Sequence, residues 1–573
     1  MTIAMSQTEP FELDSQALGA LPIVDLFLAR MGVSEALGRY LPSADRRVCL
    51  PVAATIGLLV RNLCVAREPL YGLQEWAARF DSCLLGLEAE EVELLNDDRV
   101  GRALDQLFDS DRASLLTELV VGVISEFEID CTQLHNDSTS ITLHGTYAAA
   151  DGRERGGKPT PKAALGHSKD HRPDLKQLML TLTVSADGAV PLAHRVLDGN
   201  TSDDQTHIDT WDGLVALTGR TDFLYVADSK LATREQMAHI HARGGRFVSV
   251  LPRSRAEDAQ IRAWAQTHAF EWTEAARKRG KRTDSPDDVW QTAPAPIPTA
   301  EGYRIVWVRS SQKHERDAES RQTRIDRGLH ALEALAAKLA GPRARLRTRL
   351  AVEQAAQAAL ASAGAERWIT FEVTERTEES YRQEKRGRPG QQTRYRKQTK
   401  TRFALSFSVD AAKVDYDART DGCFPLVTND RELGDAEVLG AYRYQPNLEK
   451  RHHELKSVLG AAPVTLKSAS RIEGLACCEF IALLCRCLIE RELRAAMNRH
   501  DIAELPLYHE QRASKTPTAA RVFDLFAEIS RHRLLRKDQI VQIFEPQLSP
   551  LQRQILDLIG VPKHAYHTAA PRS

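Results

Sequence analysis

The chain has no run of about 18 apolar residues, so nothing in it is long and apolar enough to span a membrane as a helix. Its first residues, MTIAMSQTEPFELD, lack a basic stretch followed by an apolar one, so no secretion signal is expected. Cysteine is sparse, at nine residues, and no even spacing points to a disulfide framework. This excludes a small disulfide-stapled secreted fold and predicts a cytoplasmic protein. Lysine is missing from residues 1–120, which hold 10 Arg against 19 Asp and Glu, a net charge near −9. Such a region is poorly suited to a polyanion and is read as a dimerisation or end-contact element.

What is present is unevenly spread. The whole chain carries a net charge of −1, yet residues 382–402 (RQEKRGRPGQQTRYRKQTKTR) hold nine Lys and Arg against one Glu. A phosphate backbone is drawn to such a segment. Hydrophobic residues make up 42% and charged residues 27%, as in soluble globular proteins. At roughly 150 residues per domain, 573 residues predict three or four units.

Periodicity divides the chain further. Apolar residues recur at three- and four-residue steps through residues 1–120, which predicts helices. FEIDCTQLHNDSTSITLHG then alternates as a strand does. Two β-type runs flank Ala186-Asp187-Gly188, a hairpin signal. A helix about 204–217, a strand ending at Asp228, a helix in TREQMAHIHARGG and the strand FVSVLP follow. Strands alternating with helices predict an α/β core over 121–252 with some parallel pairing. Residues 253–420 read as an inserted mixed α/β domain, with a long Ala/Arg-rich helical hairpin about 313–365. Residues 421–500 resume the core, and 501–573 read as a helical C-terminal region with a disordered tail from Lys563.

Several acidic residues sit where chemistry is possible. Asp137 lies in a strand-like run, Asp228 ends another, and Glu449 lies on a helix, in LEKRHHELK. Two strand carboxylates and one helix carboxylate would suit Mg²⁺ or Mn²⁺, which prefer oxygen ligands. Spacing alone does not single them out among 78 acidic residues. His452, His453 and Cys477, Cys478, Cys485 and Cys487 lack zinc-type spacing, and the cysteines read as small buried hydrophobes.

The run YRYQPNLEKRHHELKS resembles the third-carboxylate signature Y-x2-R-x3-E-x6-K of bacterial insertion-sequence DDE transposases. Tyr442, Glu449 and Lys456 match it; Gln445 stands at the Arg position, with Arg443 nearby as a substitute cation. GHSKDHRPDLKQLML, LDGNTSDDQT, VADSKL and FPLVTN resemble the group's other segments, in the same order, over about residues 95–500. The resemblance implies an RNase H-like core interrupted before the helix that carries the Glu; 91 residues separate Asp137 from Asp228, and 221 separate Asp228 from Glu449. It implies that Asp137, Asp228 and Glu449 hold two metal ions, and that metal-dependent end cleavage and strand transfer follow. It also implies DNA partners (terminal inverted repeats and target DNA) and a homodimer in the synaptic complex.

Further residues join the candidate set. Seven residues make nearly two helical turns, so Glu449 and Lys456 are expected on one face, Lys456 and Tyr442 positioning phosphate. Lys169, His171, Arg172 and Lys176 form either a phosphate-contacting loop or a plain polar loop. Arg386 and Arg388 flank Gly387 in Lys-Arg-Gly-Arg-Pro-Gly, which resembles a minor-groove hook but also reads as a solvated basic loop. Two other functions stay open: a catalytically inactive or host-adopted DNA-binding protein, and an RNase H-like nuclease without strand transfer.

Overall fold

The computed structural model describes residues 11–42, 50–280, 285–341, 344–458, 466–508, 510, 512–537 and 539–567. The chain folds as a mixed α/β protein in two compact units, residues 1–249 with 441–573, and residues 250–440.

The first unit opens with strand β1 (Glu12–Ala17) and then helices through Glu126, including Val52–Val65 and Asp97–Asp109. Its sheet is built from β2 (Gln133–Thr142), β3 (Gln177–Ser185), β4 (Pro191–Leu197), β5 (Leu224–Ala227) and β6 (Arg246–Val250). The order is β4-β3-β2-β5-β6. β2, β3 and β4 pair antiparallel, whereas β2–β5 and β5–β6 pair parallel. Helices His207–Thr218 and Arg234–Ala242 supply the crossovers that parallel pairing needs. All nine residues of β3 are buried, as expected where both sheet faces are covered.

In the second unit, β7 (Thr273–Lys278), β8 (Asp288–Pro294), β9 (Arg304–Ser310) and β12 (Cys423–Thr428) form an antiparallel run in the order β12-β9-β8-β7. Between β9 and β12 come helices Ser311–Ala340 and Arg349–Ala363, then a long two-stranded ribbon of β10 (Ile369–Gln383) and β11 (Tyr395–Val409). The Ala/Arg-rich stretch is therefore a helical hairpin. It is not merely solvated, because Ile325, Leu332, Ala356 and Leu360 pack with Ile369 at the root of the ribbon.

Back in the first unit, helix Gln445–His453 precedes helix Ala469–Arg499. The run LACCEFIALLCRCLIE is apolar nearly all round, so this helix is buried, with Cys477, Cys478, Cys485 and Cys487 inside. It packs against β4 and helices Val52–Val65 and Asp97–Asp109. Strands β13 (Ser530–Arg536) and β14 (Gln539–Phe544) close the chain with helix Pro550–Leu558.

Three expectations need correction. The N-terminal region is not wholly helical: Glu12–Ala17 pairs with Arg536's own strand, β13, from Glu12↔Leu535 to Ala17↔Ser530. The C-terminal region is not wholly helical either, since β13 and β14 form a hairpin completing that three-stranded sheet. Nor does the ordered chain stop at Lys563. Tyr566 is buried and its hydroxyl donates to the Gly19 carbonyl at 3.1 Å. The rest of the expected tail, 568–573, lies outside the described residues. Among the described residues no helix is long and apolar enough to cross a membrane.

Candidate active site

Asp137 and Asp228 are neighbours by strand register. Parallel β2 and β5 pair up to Asn136↔Ala227, so the two aspartates are the next residues on adjacent strands. Adjacent strands put their backbones about 5 Å apart. Asp228 leaves β5 and caps the turn Ser229–Leu231, accepting the Lys230 N–H at 3.0 Å, while Ser249 Oγ donates to its carbonyl at 2.6 Å. Asp at a strand end satisfies turn backbone in this way whatever else it does.

Glu449 is exposed on helix Gln445–His453, which packs over β2 and β3. The common reporter of all three carboxylates is Tyr442, the last residue of helix Asp435–Tyr442. Burial first, then the charges of Asp228, Glu449 and Asp137, push its phenol up to about 12. Burial and these three charges all disfavour the phenolate, so the hydroxyl stays protonated at neutral pH.

Cations line the same place. Lys169 Nζ lies 3.5 Å from Asp137 Oδ1 and donates to Ser138 Oγ at 2.8 Å. Its backbone N–H donates to Ser140 Oγ at 3.0 Å, which fixes the 166–176 loop along β2. Lys456 Nζ donates to Asp170 Oδ1 at 2.7 Å, and Thr142 Oγ1 donates to Asp170 Oδ2 at 2.9 Å. Burial alone would raise the Asp170 carboxyl, but the Lys456 and Thr142 hydrogen bonds outweigh it and hold the group below its ordinary range. His452 is buried beside these groups. Desolvation, then the charges of Lys169 and Lys456, push its imidazole down to about 3, so the ring is neutral. The Asp137 backbone faces that ring, yet neither ring nitrogen closes a hydrogen bond among the described residues.

The helix does not run straight from Glu449 to Lys456. It is α-helical through His453 and widens into a π-type turn over Glu454–Val458. The seven-residue spacing therefore does not follow a uniform 3.6-residue period, although Lys456 still faces Asp170 on the loop that also carries Lys169. Such insertions are common at functional sites.

Other candidates lie differently. Arg172 is paired with Asp174 on its own exposed loop, and Lys176 Nζ donates to the Thr146 carbonyl at 2.9 Å. Neither has a hydrogen bond to the three carboxylates. His171 holds a left-handed backbone (φ 57°) in that loop. Arg443 follows Tyr442 in the corner before the Glu449 helix. Arg386 and Arg388 belong to the second unit, in the turn joining β10 to β11.

Sequence reasoning missed what holds the helix. Gln445, the departure from the expected Arg, is buried; it hydrogen-bonds His135 Nδ1 at 3.0 Å and donates to the Asn136 carbonyl at 3.2 Å. It clamps the helix to β2 one residue before Asp137. Arg451 is buried and fully engaged. Its Nε and Nη2 donate to the carbonyls of Ala189 and Gly188, and its Nη1 reaches Glu454 at 2.9 Å and Glu490 at 2.8 Å. Arg486 binds Glu454 at 2.8 Å and the Cys64 carbonyl at 2.7 Å, and Arg494 binds Glu490 at 3.1 Å. The glycines of GHSKDH and LDGNTS also have a packing reason. A side chain on Gly166 would sit 2.2 Å from the Gly199 carbonyl, and one on Gly199 would sit 1.9 Å from the Gln177 carbonyl. The two segments meet at the start of β3 because only glycine permits that approach.

Chemically, the place offers hard oxygen donors, two lysines and a protonated phenol. These donors are of the type that Mg²⁺ or Mn²⁺ accepts. Among the described residues, however, no group of three or more His, Cys, Asp or Glu already stands together at metal-holding distance.

Residues 13–121 match a family described as a domain of unknown function, DUF4277. No curated protein matches the chain. Among solved structures, a piggyBac transposase synaptic complex with hairpin DNA matches over 50% of this chain and 60% of that one, at 9% identity and a TM-score of 0.26. A likeness this slight assigns neither activity nor substrate.

Proposed function

We propose that the chain is a DDE transposase with an RNase H-like core, cleaving the DNA ends of an insertion sequence and joining them to target DNA. One observation carries this reading: Asp137 and Asp228 stand at the ends of adjacent parallel strands, and Glu449 comes from a helix packed on that same sheet. The five-strand order, with hairpins on one side of β2 and crossovers on the other, supports it. So does the ordered set of motif resemblances around these residues.

In this reading Asp137 and Asp228 hold two Mg²⁺ or Mn²⁺ ions from the strands and Glu449 completes the set. When bound, the ions activate the attacking oxygen and stabilise the leaving one. Water cleaves the phosphodiester at the element end into a 3′-OH and a 5′-phosphate, and the 3′-OH then attacks a target phosphodiester, displacing the target strand's own 3′ oxygen as a hydroxyl. Tyr442, protonated, donates a hydrogen bond to phosphate. Lys456 and Lys169 would offset phosphate charge. A homodimer pairs two element ends.

The Lys169 contact also favours a second reading, a DNA-binding protein without chemistry, because it neutralises Asp137. A cleavage and strand-transfer assay separates the two. The substrate is a labelled duplex carrying the end of the element that encodes the chain, in Mg²⁺ or Mn²⁺. The wild type is expected to cut and join it, with Asp228→Asn and Glu449→Gln losing both activities but keeping binding. Cutting without joined products points to a nuclease, binding without cutting supports the second reading, and active variants overturn the site.

A further inference from the structure

The ribbon of the second unit has two chemically distinct faces. Register fixes them: Gln383↔Tyr395, Tyr381↔Lys397 and Val373↔Leu405 share one face, while Arg382↔Arg396, Glu378↔Lys400 and Arg376↔Arg402 share the other. At the root, the first face is apolar and packs inward through Ile369, Val373 and Phe403. Over the stretch Arg376–Arg382 and its partners the second carries five cations and one acid, and that acid, Glu378, is tied to Arg402 at 2.6 Å.

The cationic face does not end at the root. It runs into a cleft of about 770 Å³ lined by Arg345, Leu346, Arg347, Lys400, Arg402 and Phe403. Arg345, Arg347 and Lys400 are exposed and have no ion pair among the described residues. Three unneutralised cations around an open cleft repel one another unless an anion joins them. From Arg402 to the turn at Tyr395 is seven residues, about 25 Å of strand, or most of one turn of duplex.

We propose that the cleft and the cationic ribbon face form one continuous track for the phosphate backbone of a DNA duplex, with Arg345, Arg347 and Lys400 anchoring its inner end. This deepens the transposase reading and rests on it for the polyanion being DNA. The contacts are to phosphate, so the track is independent of base sequence. Lys397, on the other face and held by Glu379 at 2.5 Å, lies outside it.

The test is binding of the full-length chain to a labelled random-sequence duplex across a salt series. Each lost phosphate contact lowers the slope of log affinity against log salt by about 0.9. Replacing Arg345, Arg347 and Lys400 together by Gln is expected to make the slope shallower by about 2 to 3, while Lys397→Gln changes it by less than about 0.3. These side chains are exposed, so circular dichroism of the variants should match the wild type. An unchanged slope in the triple variant, with the wild type binding normally, overturns the track alone. An equal loss per charge from Lys397→Gln also overturns it, because net charge would then explain the effect. A wild type that binds no duplex overturns the transposase reading and the track with it.

Discussion

Arg451 is the place where the Glu449 helix is most vulnerable. Its guanidinium spends every direction on a partner: two carbonyls of the β3–β4 turn and the carboxylates of Glu454 and Glu490. Only 7% of its side chain is exposed, and Glu454 and Glu490 are 12% and 3% exposed, so water replaces little of what is lost. Removing one partner of a buried charged set typically costs about 3–5 kcal/mol. Arg486 and Arg494 keep one cation on each carboxylate, which puts Arg451→Met at the lower end, about 3 kcal/mol. Hydrogen–deuterium exchange over residues 445–458 reads this locally. At 1.4 kcal/mol per tenfold, exchange should accelerate about a hundredfold. Arg451→Lys keeps the charge but not the planar fork, and should recover less than half of the loss. Exchange within about threefold of the wild type in Arg451→Met would refute the claim that this network fixes the helix.

Three further expectations follow from single contacts. His194 is partly buried, its ring centroid 4.5 Å from that of Phe480, and desolvation, then Arg112, push it down to about 4. The unfolded imidazole titrates near 6.5, so its contribution is complete above that pH and is lost as pH falls toward 4. Between pH 7 and 5 it removes about 2 kcal/mol, and His194→Phe should flatten the pH dependence of urea midpoints by that amount; an unaltered slope contradicts the account. Gln445→Ala leaves His135 Nδ1 and the Asn136 carbonyl without their partner in a buried position, and should cost about 1–3 kcal/mol in thermal melts, with no change refuting the clamp. Lys456→Met removes a half-exposed pair with Asp170 and should shift stability by less than about 1 kcal/mol while slowing end cleavage at least tenfold; a cleavage rate equal to the wild type removes Lys456 from the phosphate role.

The elements with strong local period were legible in the sequence. The alternation in QLHNDSTSIT, the turn at Ala186–Gly188 and the apolar run LYVA appear as β2, the β3–β4 hairpin and β5. The small sheet was not legible, because ELDSQA has no strand signature of its own. It becomes a strand only because β13, some 517 residues away at Ser15 and His532, supplies its ladder. Within the site, the carboxylates drew notice through motif resemblance, not spacing. The clamp and the network had no local signal. Gln445 looks like a mismatch until His135, 310 residues earlier, is seen against it. Arg451 and Glu454 read as a polar helix face, and only the buried acid and bases of helix Ala469–Arg499 turn that face inward.

The central claim is that Asp137, Asp228 and Glu449 share divalent ions, and Mn²⁺ binding to the full-length chain, followed by electron paramagnetic resonance with duplex DNA present, tests it most directly. The account predicts two ions per chain for the wild type and loss of binding in Asp137→Asn and Asp228→Asn, with weakening in Glu449→Gln. Stoichiometry and affinity unchanged across all three variants would contradict it.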